Sequence, residues 1–201
     1  MPGRDALYPD GPLGKAAAPN YCPKPFYFVQ VAPSGKVRIP CWSSDPAPLA
    51  DLMLKWMADF PDEVAVLLKV EQDQPSANGD PWSRYYGTCK KGAVVRAFEM
   101  FRDFVLTDST HQICIRNPET EEYFAFDECG VLWLYPNERK IEAMAASLGF
   151  ENKLQSLISD QGYWSHILSD SAERRRALVE FLMLEAVDST PDQSNAANPI
   201  Q

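Results

Sequence analysis

Residues 111–135 read HQICIRNPETEEYFAFDECGVLWLY, and this stretch decides the fold class. Three apolar runs, His111–Arg116, Glu122–Phe126 and Val131–Tyr135, follow one another with only short polar breaks, Asn117–Thr120 and Asp127–Gly130. Breaks of four or five residues rich in Asn, Asp, Pro and Gly join strands as hairpins, because these residues accept local backbone hydrogen bonds or tolerate positive φ. Three successive hairpin-joined strands exclude the strict strand–helix alternation of a doubly wound parallel sheet.

Upstream, FYFVQVAPSGKVRIP predicts a further hairpin, with strands at Phe26–Val31 and Lys36–Pro40 around a Pro-Ser-Gly turn. Flanking prolines place it at a sheet edge. Leu49, Leu52, Met53, Trp56, Met57 and Phe60 recur at steps of three and one, the stripe of a helix entered at Ser44 or Asp45 and ended by Pro61. In Val64–Val70 both faces are apolar, which marks an interior strand. Glu71–Gly92 is polar and unpatterned and is expected to be a long loop. Val94, Val95, Phe98, Phe101 and Val105 give a second helix. A third is capped by Asn137 and closed by Gly149. A short helix is expected near Asn152–Ser159, and a last one over Ser171–Val187, opened by Asp170 and Glu173 in capping-box spacing.

The expected architecture is α+β, one domain over residues 21–187, with a mixed or antiparallel sheet of about six strands and helices packed on one face. Residues 1–20, rich in Pro, Gly and Ala, are expected to be a flexible, dispensable arm, and 188–201 a disordered tail.

Lysine and arginine number 19 against 28 aspartate and glutamate, a net charge of −9, while 45% of residues are hydrophobic and 11% aromatic. A core is affordable and disorder throughout is excluded. The acidic balance disfavours phosphate backbones and anionic lipid, so no nucleic acid and no membrane partner is expected. Five widely spaced cysteines form no Cys-x-x-Cys pair, and no signal-peptide or membrane-length apolar run occurs, so a cytoplasmic location with reduced thiols is expected.

Chemistry has few footholds. No nucleophile elbow, phosphate-binding glycine loop or calcium-loop spacing occurs. His111 and Cys114 sit three apart, but on a strand they face opposite ways, and the other histidine, His166, lacks neighbouring ligands. No metal, cofactor or catalytic residue is assigned. The pair Asp127–Glu128 beside Cys129 is explained as a turn, with Glu128 and Cys129 at an exposed tip.

Two features exceed turn grammar. Trp82, Arg84, Tyr85 and Tyr86 crowd aromatic and guanidinium groups, the side chains that anchor interfaces, into a polar segment. Glu119, Glu121, Glu122 and Glu128 belong to an acidic run unrelieved by lysine or arginine until Arg139. Together they give the expectation of a non-enzymatic protein–protein interaction module (an adaptor, inhibitor or immunity-like protein) that meets a basic protein partner. The alternative is a small-ligand binder or hydrolase-type enzyme with a pocket near the Trp82–Tyr86 loop, using Asp127, Glu128 or His111 as its polar groups.

Overall fold

The computed structural model describes residues 14–18, 21–72, 79–137 and 140–187. Among the described residues five helices pack on a sheet whose strands number ten, so α+β holds but the expected count of about six is too low. The additional strands are short save one of nine residues, which lies where a loop is expected.

The three strands of the deciding stretch form as β7 (His111–Arg116), β8 (Tyr123–Phe126) and β9 (Leu132–Tyr135), paired antiparallel in sequence order. β5 (Glu63–Glu71) lies on the other side of β7 and is interior, as its two apolar faces predict. Its second neighbour is β6, Trp82–Lys90, nine residues inside the segment expected to be a loop. At the far edge β12 (Glu185–Val187) pairs with β6, so the last helix ends earlier than expected, at Phe181.

The first hairpin forms as β2 (Phe26–Tyr27) and β3 (Gln30–Val31) against β4 (Val37–Trp42). β4 is no edge strand: its other side pairs with β9, and Pro40 sits opposite Trp133. β10 (Glu151–Asn152) joins β2 in the sheet's parallel pair, where a short helix is expected, and only a 3-10 turn follows at Ile158–Asp160.

The buried residues of all five helices join one cluster with one sheet face. These helices are α1 (Ala47–Ala58), α2 (Lys91–Met100), α3 (Arg102–Thr107), α4 (Lys140–Ser147) and α5 (Ser171–Phe181). From the sheet come Val64, Val66, Leu68, Ile113, Ile115, Phe124 and Leu134; from α1, Leu49, Leu52, Met53, Trp56 and Met57. The carbonyls at the end of α1 are met by Lys91, whose Nζ donates to Ala58 and Phe60 oxygens at 2.9 and 2.6 Å. The expected capping box at Asp170 does not form; its carboxylate binds Arg174 at 2.8 Å instead. Asn137 donates to the Thr120 oxygen at 2.6 Å, and the cap expected of it falls on residues 138–139, outside those described.

Residues 14–18, placed by the sequence in the flexible arm, are part of the body. β1 (Ala16–Ala17) pairs with β11 (Trp164–Ser165), and Lys15 is fully buried. Here Ala16 closes a smaller cluster of Phe26, Phe28, Trp42, Cys129, Val131 and Ile158 under the far end of the sheet. The rest of that arm, and the tail 188–201, lie outside the described residues.

Candidate functional site

Strand alternation puts two different surfaces on the sheet. One is the helix-covered core. On the other, among the described residues, no helix packs. The register of β6, β5, β7, β8, β9 and β4 lays out what that open face carries. Tyr86, Leu67, Cys114, Ala125, Trp133 and Pro40 form one row across the strands. Arg84, Lys69 and Gln112 form a second row beside it; Arg116, Tyr123 and Tyr135 form a third. An antiparallel sheet that faces water on one side ordinarily alternates to polar residues there. This face instead bears Trp82, Tyr86, Tyr123, Trp133 and Tyr135 among Arg38, Lys69, Arg84 and Arg116.

The rings are ordered by their neighbours. Tyr123 and Tyr135, opposite one another on β8 and β9, stack with centroids 4.1 Å apart at 12°. The Arg38 guanidinium lies 5.3 Å from the Trp133 ring centre, a cation–π contact. Trp133 also donates its indole N–H to Asp127 at 2.7 Å. Arg84 is held by Asp80, whose carboxyl it keeps below the usual carboxylate range, and Asp80 also accepts the Trp82 N–H at 3.0 Å. Tyr86 is 48% exposed. Burial raises the phenol of Tyr135, so it stays protonated and able to donate.

Of the aromatic group expected from sequence, the structure keeps Trp82, Arg84 and Tyr86 together and removes Tyr85, which turns to the opposite face and packs against the core. The four glutamates do not share one surface. Glu119, Glu121 and Glu122 lie at one end of β8 and Glu128 at the other. Glu121 pairs with Arg116 at 3.0 Å. Glu122 is buried and clamps its turn, accepting from the Asn137 N–H and the Thr120 hydroxyl at 3.1 Å each. Glu128 is half-buried and accepts from Gln112.

Turn chemistry accounts for Asp127–Gly130, but the tip is not exposed. Asp127 Oδ1 accepts the Cys129 and Val131 amides at 3.0 and 2.8 Å, and Gly130 has φ 75°. Cys129 is buried, 3.2 Å from the Tyr163 hydroxyl, because the strap at residues 14–18 and the 157–163 segment fold over it.

Beneath this turn lies a buried polar cluster with no signal in the sequence. Lys15 Nζ donates to the His111 carbonyl oxygen at 2.8 Å, faces His111 Nε2 at 3.3 Å and lies 4.7 Å from the Phe126 ring centre. Burial pulls its ammonium down to about 7, against the pull of Asp127, Asp108 and Glu128. Burial, then the Lys15 charge, pulls His111 down to about 3, so its ring is neutral. His111 stacks on Phe104, and Asp108 accepts the Thr110 and Leu168 amides at 2.9 and 3.0 Å. Lys15, His111 and Asp108 have no solvent exposure, so no substrate reaches them and the cluster anchors the strap.

Four of the five thiols are poor nucleophiles: desolvation pushes Cys114 up to about 12, Cys129 to about 11, and Cys41 and Cys89 upward, while Cys22 is exposed. Among the described residues no three His, Cys, Asp or Glu side chains are grouped to hold a metal ion, and no helix is long and apolar enough to cross a membrane. The described residues form two concavities of ligand size. One of about 590 Å³ lies on the open face between the β3–β4 and β7–β8 hairpins. Another, about 520 Å³, touches Tyr86 and Met183 at the β6–β12 edge. Neither is lined by His111, Asp127 or Glu128, the polar groups of the enzyme alternative.

No protein-family model matches the chain, and neither the search of curated proteins nor that of solved structures finds a match.

Proposed function

We propose that the protein is a non-enzymatic protein-binding module whose contact surface is the open face of its sheet. The observation that carries this reading is the group of rings Trp82, Tyr86, Tyr123, Trp133 and Tyr135 that strand register puts on a face no helix covers among the described residues, with Trp133 packed at its margin against the smaller apolar cluster. Aromatic side chains bury large area at low entropy cost, and interspersed guanidinium groups add directional contacts; these are the residue types in which binding energy concentrates. The reading moves the contact surface from the hairpin glutamates, which the fold disperses, to the aromatic end of β6 and its continuation over β8 and β9.

The test is affinity capture from source cells, comparing the natural chain with Tyr86→Ser/Tyr135→Ser and with Arg96→Ala on the helical side. Proteins retained by the natural chain and by the Arg96 variant, but lost from the tyrosine variant, support the reading. Retention that ignores the tyrosines, or substrate turnover by the purified protein, contradicts it.

A further inference from the structure

We infer that the groove between the β3–β4 and β7–β8 hairpins receives an extended acidic segment of the partner; the inference rests on the open face being the contact surface and names the chemistry of what it meets. The groove measures about 590 Å³. Its floor is Cys114 with the stacked Tyr123 and Tyr135, and its walls include Gln30, Lys36, Arg38 and Arg116.

Charge is the first argument. Lys36, Arg38 and Arg116 border the groove against one acid, Glu121. Glu121 is engaged with Arg116 at 3.0 Å in an exposed pair, which is worth little and can be exchanged for a partner's carboxylate. Arg38 has no carboxylate within ion-pair distance among the described residues; it rests on the Trp133 ring, where its donors stay available. The net charge of −9 does not override this local balance. Charges beyond a Debye length of about 8 Å are largely screened at physiological salt.

Shape is the second argument. Gln30 and Val31 of β3 line the groove on one side, where Val31 is 65% exposed, and Arg116 and Glu121 line it on the other. A cleft open along two hairpins admits an extended segment, whose alternate side chains are directed into the face. A long polyanion is repelled more strongly by the acidic molecule than a segment with a few carboxylates.

The experiment is an NMR titration of the isotope-labelled full chain with the blocked peptide Glu-Tyr-Glu-Val-Glu, with the same peptide bearing lysine for glutamate, and with a thymidine hexanucleotide. NMR detects millimolar binding, so a flat titration is informative. The expected result is saturable shifts at the amides of Val31, Arg38, Arg116 and Tyr135 with the acidic peptide, at least tenfold weaker with the lysine peptide, and weakened about tenfold by Arg38→Gln, whose exposed site leaves the fold intact. Absence of shifts at these amides, equal response in Arg38→Gln, or preference for the lysine peptide or the hexanucleotide overturns the inference. Capture that depends on Tyr86 and Tyr135 while the acidic peptide fails leaves the open face as the contact surface and removes only this assignment. Peptide binding without such capture does the reverse.

Discussion

Lys15 and His111 are 96 residues apart in sequence and are joined by two contacts of one ammonium group, to the ring Nε2 and to the main-chain oxygen. Nζ at 2.8 Å from that oxygen fixes the first described segment onto an interior strand of the sheet. The strap is secured further by His166, whose amide donates to the Lys15 oxygen at 3.0 Å and whose own oxygen accepts from Ser109 at 2.8 Å.

Lys15→Ala is therefore expected to destabilise the protein by about 2–4 kcal/mol, since it empties a buried site and leaves polar partners unmet. Deleting residues 1–18 is expected to lower stability at least as much, because Ala16 then leaves its apolar cluster as well. Urea unfolding of both variants checks this; midpoints within error of the natural chain would return the strap to the status of a loose arm.

The same lysine sets a pH dependence. Its ammonium titrates at about 7 in the fold against 10.5 ordinarily, so between these values the unfolded chain holds a proton that the folded chain has released. Stability then rises with pH across that window, by up to about 1.4 kcal/mol per unit. At lower pH two groups oppose each other. His111, pulled down to about 3, adds stability as pH rises toward its ordinary value, while Asp127, pushed up to about 6 by burial and then Glu128, removes it. The expected outcome is that the natural chain gains on Lys15→Met between pH 7 and 9.5, measured by urea midpoints. A constant difference would show that the ammonium keeps its charge in the fold.

Two helices end in the same hydrogen-bonding pattern with different residues at the left-handed position. After α4, Gly149 (φ 84°) and Phe150 donate to Ala146 and Ala145 at 3.0 and 3.2 Å. After α5, Met183 (φ 51°) and Leu184 donate to Glu180 and Val179 at 3.1 and 3.0 Å. Both are Schellman motifs, whose left-handed residue is usually glycine because a Cβ is penalised there. Met183 is 82% exposed and loses little packing when shortened. Met183→Gly is expected to raise stability by about 0.5–1 kcal/mol, the relief of strain exceeding the added freedom of the unfolded chain. A decrease in the thermal midpoint would mean that the methionine makes contacts that outweigh its backbone.

Periodic elements were legible in the sequence because their faces differ in one property. The stripe of α1 and the apolar runs of β7, β8 and β9 announce burial on a definite side, and β5, apolar on both faces, announces an interior place. β6 was not legible: Ser83, Tyr85, Gly87 and Cys89 face the helices while Trp82, Arg84, Tyr86 and Thr88 face outward, so neither face is purely apolar. It is a strand because β5 pairs along its whole length, a tertiary cause. Gly87 there also makes room for Leu184, whose Cδ2 would lie 2.9 Å from an added Cβ. The open face was half legible. Alternation along the three deciding strands already puts Tyr123, Trp133 and Tyr135 outward, but only the register brings them beside Arg38 and Tyr86. Lys15 had no signal, since a lysine is almost never buried without partners and its partners come from distant turns.

Hydroxyl-radical footprinting of the free protein, and of its complex with whichever protein Tyr86 and Tyr135 retain, tests the central claim most directly. The account expects Trp82, Tyr86 and Tyr135 to be oxidised readily in the free protein and protected severalfold in the complex, while the buried Trp56 stays protected in both. Slow oxidation of Tyr86 and Tyr135 in the free protein would show that the face is already covered, and unchanged oxidation in the complex would show that the partner binds elsewhere; either result contradicts the open sheet face as the working surface.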